Sequence, residues 1–69
     1  MDNKITPVDK FVLPLGRQEI ELQNIVYESG GMPLLRLRIR EGKRFTVIDV
    51  DPASARRWAE AMAAWAELQ

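Results

Sequence analysis

Pro52-Ala-Ser-Ala-Arg-Arg-Trp58-Ala-Glu-Ala-Met62-Ala-Ala-Trp65-Ala-Glu-Leu68 is the one stretch of the chain with a helical period, and its reading decides the fold. Trp58 and Trp65 lie seven residues apart, which puts them on one face of a helix about 20° out of line. Met62 falls between them. Ala55, Ala59 and Ala66 flank one side of that stripe and Ala61 and Leu68 the other, while Arg56, Arg57, Glu60 and Glu67 take the opposite face. A helix with so large an aromatic stripe needs an apolar surface to cover. Its start is equally legible. Asp51 is a good N-cap, and Pro52 suits the first helical position, where a missing N–H costs nothing.

Back from the helix toward the N-terminus, the chain alternates like strands. Arg44-Phe-Thr-Val-Ile-Asp-Val50 runs straight into the cap. Leu34-Leu-Arg-Leu-Arg-Ile-Arg40 has the clearest period of two, with Leu35, Leu37 and Ile39 inward and Arg36, Arg38 and Arg40 outward. Glu41-Gly42-Lys43 turns between these two strands. A three-residue loop with Gly42 left-handed sets Phe45 beside Leu37 and Val47 beside Leu35 in the core, whereas a two-residue Glu41-Gly42 turn selects Thr46 and Ile48.

Ser29-Gly-Gly-Met-Pro33 is the strongest breaker in the chain. A four-residue loop from Ser29 to Met32 pairs Val26 with Leu35 and Leu22 with Ile39, and sets Glu21 against Arg40 and Gln23 against Arg38. It also leaves Asn24 against Leu37, a discomfort that a bulge relieves. Before it, Glu19–Gln23 reads as a strand with Ile20 and Leu22 on one side. Phe11–Leu15 reads as a first strand, marked as an edge by Pro14. A Gly16-Arg17 turn sets Leu13 opposite Ile20 and Phe11 opposite Leu22. Residues 1–9 read as a loose N-terminal arm, ahead of one small domain over residues 10–69. The expected fold is α+β: a four-stranded antiparallel up-and-down sheet, β-β-β-β-α, with the C-terminal amphipathic helix packed on one face.

Sixty-nine residues make one domain, and one so short is marginal by itself. The chain has no cysteine and no histidine, so disulfides are impossible and soft-ligand zinc sites are effectively excluded. Oligomerisation is the staple that remains. Ten basic and ten acidic residues cancel, so no global field steers the protein to nucleic acid or an anionic membrane. The balance is uneven: Arg36, Arg38, Arg40, Lys43 and Arg44 against Glu41 leave that short stretch at plus four. No apolar run has the length of a membrane span. Met-Asp-Asn-Lys-Ile-Thr-Pro7 lacks the basic start and apolar core of a signal peptide, and a soluble cytoplasmic protein is expected.

Catalysis is not expected. There is no imidazole or thiol, Ser29 and Ser54 have no base nearby in sequence, and Gly30-Gly31 lacks the context of a phosphate loop. Asp49 and Asp51 form the one carboxylate pair at a strand end, but Asp51 already serves as a cap. No cofactor or metal is expected. The sharpest polar feature is the arginine ladder, with Arg36, Arg38, Arg40 and Arg44 as candidate polyanion-binding residues. Such a row can track a nucleic-acid backbone, yet single-strand binders interleave aromatics, and here only Tyr27 lies on that face. A solvated face crossed by ion pairs is the plainer reading. The same face carries an apolar cluster of Ile25, Tyr27, Leu34 and Ile48, with Val50 at its end, which forms a candidate interface.

The path from Phe11 to Leu68, with its local run Val47-Ile-Asp-Val-Asp-Pro-Ala-Ser-Ala-Arg-Arg-Trp58, resembles in layout the small transcriptional coactivators and single-stranded-DNA binders typified by positive cofactor four. That resemblance implies the sheet, the tryptophan-bearing helix and a dimer. It brings none of that family's lysine-rich, aromatic strands, and a likeness of layout does not transfer function. The expected role is a small non-catalytic interaction module, a homodimer through the outer sheet face, with an unidentified protein partner. Single-stranded nucleic-acid binding through the arginine ladder is the alternative.

Overall fold

The computed structural model describes residues 3–69. Four strands, β1 (Lys4–Val12), β2 (Glu19–Val26), β3 (Leu34–Glu41) and β4 (Arg44–Val50), form one antiparallel sheet in sequential order, followed by one helix, α1 (Pro52–Glu67). The α+β class and the up-and-down order are those expected from the sequence. Asp51 caps α1, its carboxylate accepting from the Ser54 backbone N–H at 3.0 Å, with Pro52 in the first turn.

Register fixes the two sides of the sheet. Ile20 pairs with Ile39, Leu22 with Leu37 and Asn24 with Leu35; Leu35 pairs with Val50, Leu37 with Ile48 and Ile39 with Thr46. Directly opposed residues share a side, so these make one side, toward which α1 turns. Glu19, Glu21, Gln23 and Ile25 share the other side with Arg40, Arg38, Arg36 and Leu34, and with Phe45, Val47 and Asp49.

Several details differ from the sequence reading. Lys4–Asp9, expected as part of a loose arm, is strand: Lys4 pairs with Val26, Ile5 with Ile25 and Thr6 with Asn24, before an irregularity between Pro7 and Asp9. The arm's first two residues lie outside the described residues. The first hairpin is not closed at Gly16-Arg17. Its loop runs from Leu13 to Gln18, closed by Leu13 N–H to the Gln18 carbonyl at 2.9 Å, and Phe11 pairs with Ile20 rather than Leu22. Arg17 at its tip takes φ +60°, a conformation glycine adopts more cheaply. The β2–β3 register is two residues from the expected one, which swaps partners but preserves both sides. Asn24 thus meets Leu35 without a bulge in that pair.

The last hairpin carries the consequential difference. Glu41 pairs with Arg44, so the turn is Gly42-Lys43, with φ +60° at Gly42, the sign a two-residue turn of type II′ requires at its first central position. The three-residue loop is one residue too long. Thr46 and Ile48 take the helix side, and Phe45 and Val47 the outer side.

Candidate interaction surfaces

The outer side is a ladder of paired charges. Arg36 grips Asp49 with two hydrogen bonds, Nε to Oδ1 at 2.8 Å and Nη2 to Oδ2 at 3.1 Å. Arg38 Nη1 donates to Glu21 Oε1 at 2.7 Å, and Arg40 Nη2 to Glu19 Oε2 at 2.7 Å. Lys10 reaches the other oxygen of Glu19 at 3.3 Å. Each arginine faces its acid because the register sets them opposite or adjacent across strands. Arg44, expected as the fourth ladder residue, is not on the ladder: it pairs with Glu41 at the hairpin end, and alternation puts that pair on the helix side, away from Arg36, Arg38 and Arg40.

These contacts shift the acids. Arg40 first and Lys10 second hold the Glu19 carboxyl below the ordinary carboxylate range. Arg36 does the same to Asp49, whose carboxylate in turn raises the guanidinium. Ser54, through its side chain and its backbone N–H, depresses Asp51. Asp49 and Asp51, the carboxylate pair noted in the sequence, are thus separately engaged, one across the sheet and one at the helix start.

The expected apolar cluster does not assemble. Ile48 stands on the helix side, opposite Leu37, because the shorter turn inverts β4. Val50 follows it there and is buried. Ile25 keeps the outer side but is only 1% exposed, on an inner strand between Ile5 and Leu34. Leu34 is half-buried beside it, and Tyr27 lies just beyond the end of β2. Two apolar residues the sequence reading assigned to the core stand outward instead: Phe45 and Val47 are both more than half exposed. Phe45 lies under the Arg38 guanidinium at 5.2 Å, within the range of a cation–π contact.

The helix side is where apolar surface remains open. A cleft of about 230 Å³ runs between sheet and helix, lined by Phe11, Ile20, Leu22, Leu35 and Leu37 below and by Ala55, Trp58, Ala59 and Met62 above. The helix approaches the sheet appreciably only at β3. Along α1 only Ala55 is of intermediate exposure, and none of the helix's residues is buried. Trp58, which faces the cleft, is 45% exposed; Met62 and Trp65 are 66% and 67% exposed, and Leu68 more so. Ala61, Met62, Trp65 and Ala66 form a second shallow apolar hollow on the helix itself.

The whole molecule is correspondingly open. A compact monomer of this mass (7.9 kDa) exposes about 4,400 Å² by the usual scaling; this chain exposes 5775 Å². Its radius of gyration is 13.8 Å, against about 11 Å for a compact chain of this length. No helix among the described residues is long and apolar enough to cross a membrane.

No curated protein and no solved structure matches the chain. Residues 2–68, nearly its full length, match a family of unknown function, DUF6967, and the chain belongs to that family.

Proposed function

We propose that the chain is a small non-catalytic interaction module that works as a homodimer. The observation that carries this reading is the surface excess of about 1,400 Å² over a compact monomer. A stable dimer of standard size buries about 800 Å² on each partner, so the excess is ample for one. Its composition agrees, since Trp58, Met62, Trp65 and Leu68 are exposed on one amphipathic helix. Monomers seldom leave so contiguous an apolar surface to water. With neither cysteine nor histidine in the chain, a second copy is the available source of stability. Light scattering at micromolar concentration is expected to give twice the 7.9 kDa chain mass. A chain that stays monomeric up to high micromolar concentration contradicts the reading.

One observation favours a second reading, single-stranded nucleic-acid binding by the ladder of Arg36, Arg38 and Arg40, without Arg44. Phe45 stacks under Arg38, so the ladder has an aromatic neighbour that the sequence did not promise. Against it, Asp49, Glu21 and Glu19 already occupy three of the arginines and would repel phosphate. No micromolar binding to single-stranded oligonucleotides is expected at physiological salt. Tight binding that weakens steeply with salt would reverse the order of the two readings.

A further inference from the structure

The dimer reading leaves open which surface is shared, and the helix side decides it. Beyond Met62 no residue of the helix lines the cleft above its own sheet. Trp65 is absent from the cleft lining, and α1 meets the sheet mainly at β3. The sheet has the converse deficit, since Phe11, on the edge strand β1, is 45% exposed where it lines that cleft. One half of the molecule thus has an uncovered lid and the other an uncovered floor. We propose that a second copy of this chain closes the helix side, its α1 lying antiparallel to this one, so that Trp65 and Leu68 of each copy reach over the open cleft of the other.

Antiparallel pairing follows from where the deficits lie. A parallel pair would bring the two overhanging ends together and leave both sheet floors open. An antiparallel pair about a two-fold axis lays each overhang across the other copy's first helical turns and sheet, and two-fold closure is the commonest symmetry of small oligomers. The sequence of the exposed flank fits. Ser54, Trp58, Ala61, Trp65 and Leu68 recur at alternating spacings of four and three, the seam of a helix that packs along another. With the axis near residue 63, Trp65 meets the partner's Ala61 and Trp58 meets the partner's Leu68. Setting a large side chain against a small one lets the helices approach closely.

The outer side offers no equivalent. Its apolar residues are buried, as Ile25 is, interleaved with the ion pairs, as Phe45 and Val47 are, or set apart on the edge strand β1, as Ile5 and Val12 are. This proposal rests on the homodimer reading, and the two can fail separately.

The chain has no cysteine, so single cysteines report geometry without background. Ala61→Cys sits near the expected axis and should be joined into a covalent pair by a short bismaleimide, wherever the wild type is dimeric. Ser54→Cys should not be joined, because its two copies lie about 27 Å apart in an antiparallel pair. Val47→Cys, on the outer side, should not be joined either. A dimeric protein joined at position 47 and not at 61 overturns the helix-side assignment while leaving the dimer intact. Joining at 54 as readily as at 61 overturns the antiparallel arrangement. A wild type that light scattering finds monomeric overturns both readings. Trp65→Glu should weaken the dimer at least about thirty-fold, the loss expected of an interfacial tryptophan hot spot, and Phe45→Glu should leave it unchanged. The opposite pattern, with Phe45→Glu weakening the dimer and Trp65→Glu not, overturns the proposal.

Discussion

The two sides of this sheet are finished to different degrees. On the outer side the chain satisfies its charges: each ladder arginine from Arg36 to Arg40 has its acid, and Ile25 is buried. On the helix side a 16-residue amphipathic helix stands over a row of apolar strand residues and has no buried residue of its own. Ion pairs need only two side chains in register, and neighbouring strands provide them. A hydrophobic core needs opposed apolar layers with water excluded between them, and one short helix on four strands leaves that layer half built. The difference sets a side whose charges are paired within one chain against the side that a second copy is proposed to cover.

Substitutions can break or sharpen this contrast. The largest effect is expected at the tryptophans. Trp58→Ala should cost about 3–5 kcal/mol if the second copy completes the burial of a side chain that is 45% exposed in one chain. Trp65→Ala should approach that cost if a second copy covers it, and fall below about 1 kcal/mol if it stays in water. Denaturant melts of both variants at two protein concentrations separate these cases. Next comes Ile25→Ala on the outer side, with an expected loss of about 2–4 kcal/mol. That position lies within one chain, so its loss should be the same at both concentrations, whereas the tryptophan losses should not.

Smaller still is the helix cap. Asp51→Ala removes the acceptor for the Ser54 N–H and should lower the melting temperature by about 5 °C. A drop no larger than that of Glu60→Ala, mid-helix on the polar face, would remove the cap from the account.

The smallest effect is on the outer ladder and shows as a dependence on pH. The carboxyls of Glu19, Asp49 and Asp51 all titrate lower in the folded chain than their usual values of 4.5 for Glu and 3.8 for Asp. A depressed acid contributes fully above its unfolded value and loses that contribution as pH falls through the folded one. Melting temperature should therefore be level above about pH 5 and fall on acidification below it. Asp49→Asn should shift the melting temperature by only about 1–3 °C near neutrality, as expected of an exposed pair, and make the acid decline shallower. An unchanged acid slope would mean that the Arg36–Asp49 pair adds nothing to stability.

What was legible in the sequence was local. The helix, its Asp51-Pro52 start and the inward and outward sides of β3 followed from periods and caps that need no distant information. The β2–β3 pairing slipped by two residues without harm, because alternation cannot distinguish registers that preserve the sides. The side of β4 turned on a single residue of loop length at Gly42, and that residue decided whether Ile48 or Phe45 faced the helix. One signal favoured the shorter turn: it sets Glu41 against Arg44, a complementary pair. The first strand was read too late in the chain, at Phe11–Leu15 instead of Lys4–Val12, because the irregularity between Pro7 and Asp9 breaks its alternation. The open helix side was not read from the sequence, which put the shared surface on the outer face, although a stripe that spans about 180° from Leu68 round to Ala59 is broader than one sheet contact requires.

Trp58 and Trp65 are the only tryptophans in the chain, and both lie on the surface that the second copy is expected to cover. Their fluorescence emission followed on dilution, alongside the mass from light scattering, therefore tests the central claim most directly. The account predicts a blue-shifted emission at micromolar concentration that moves to the red on dilution, with the same midpoint as the halving of mass. Emission that stays unchanged while the mass halves, or a mass that never exceeds 7.9 kDa, would contradict it.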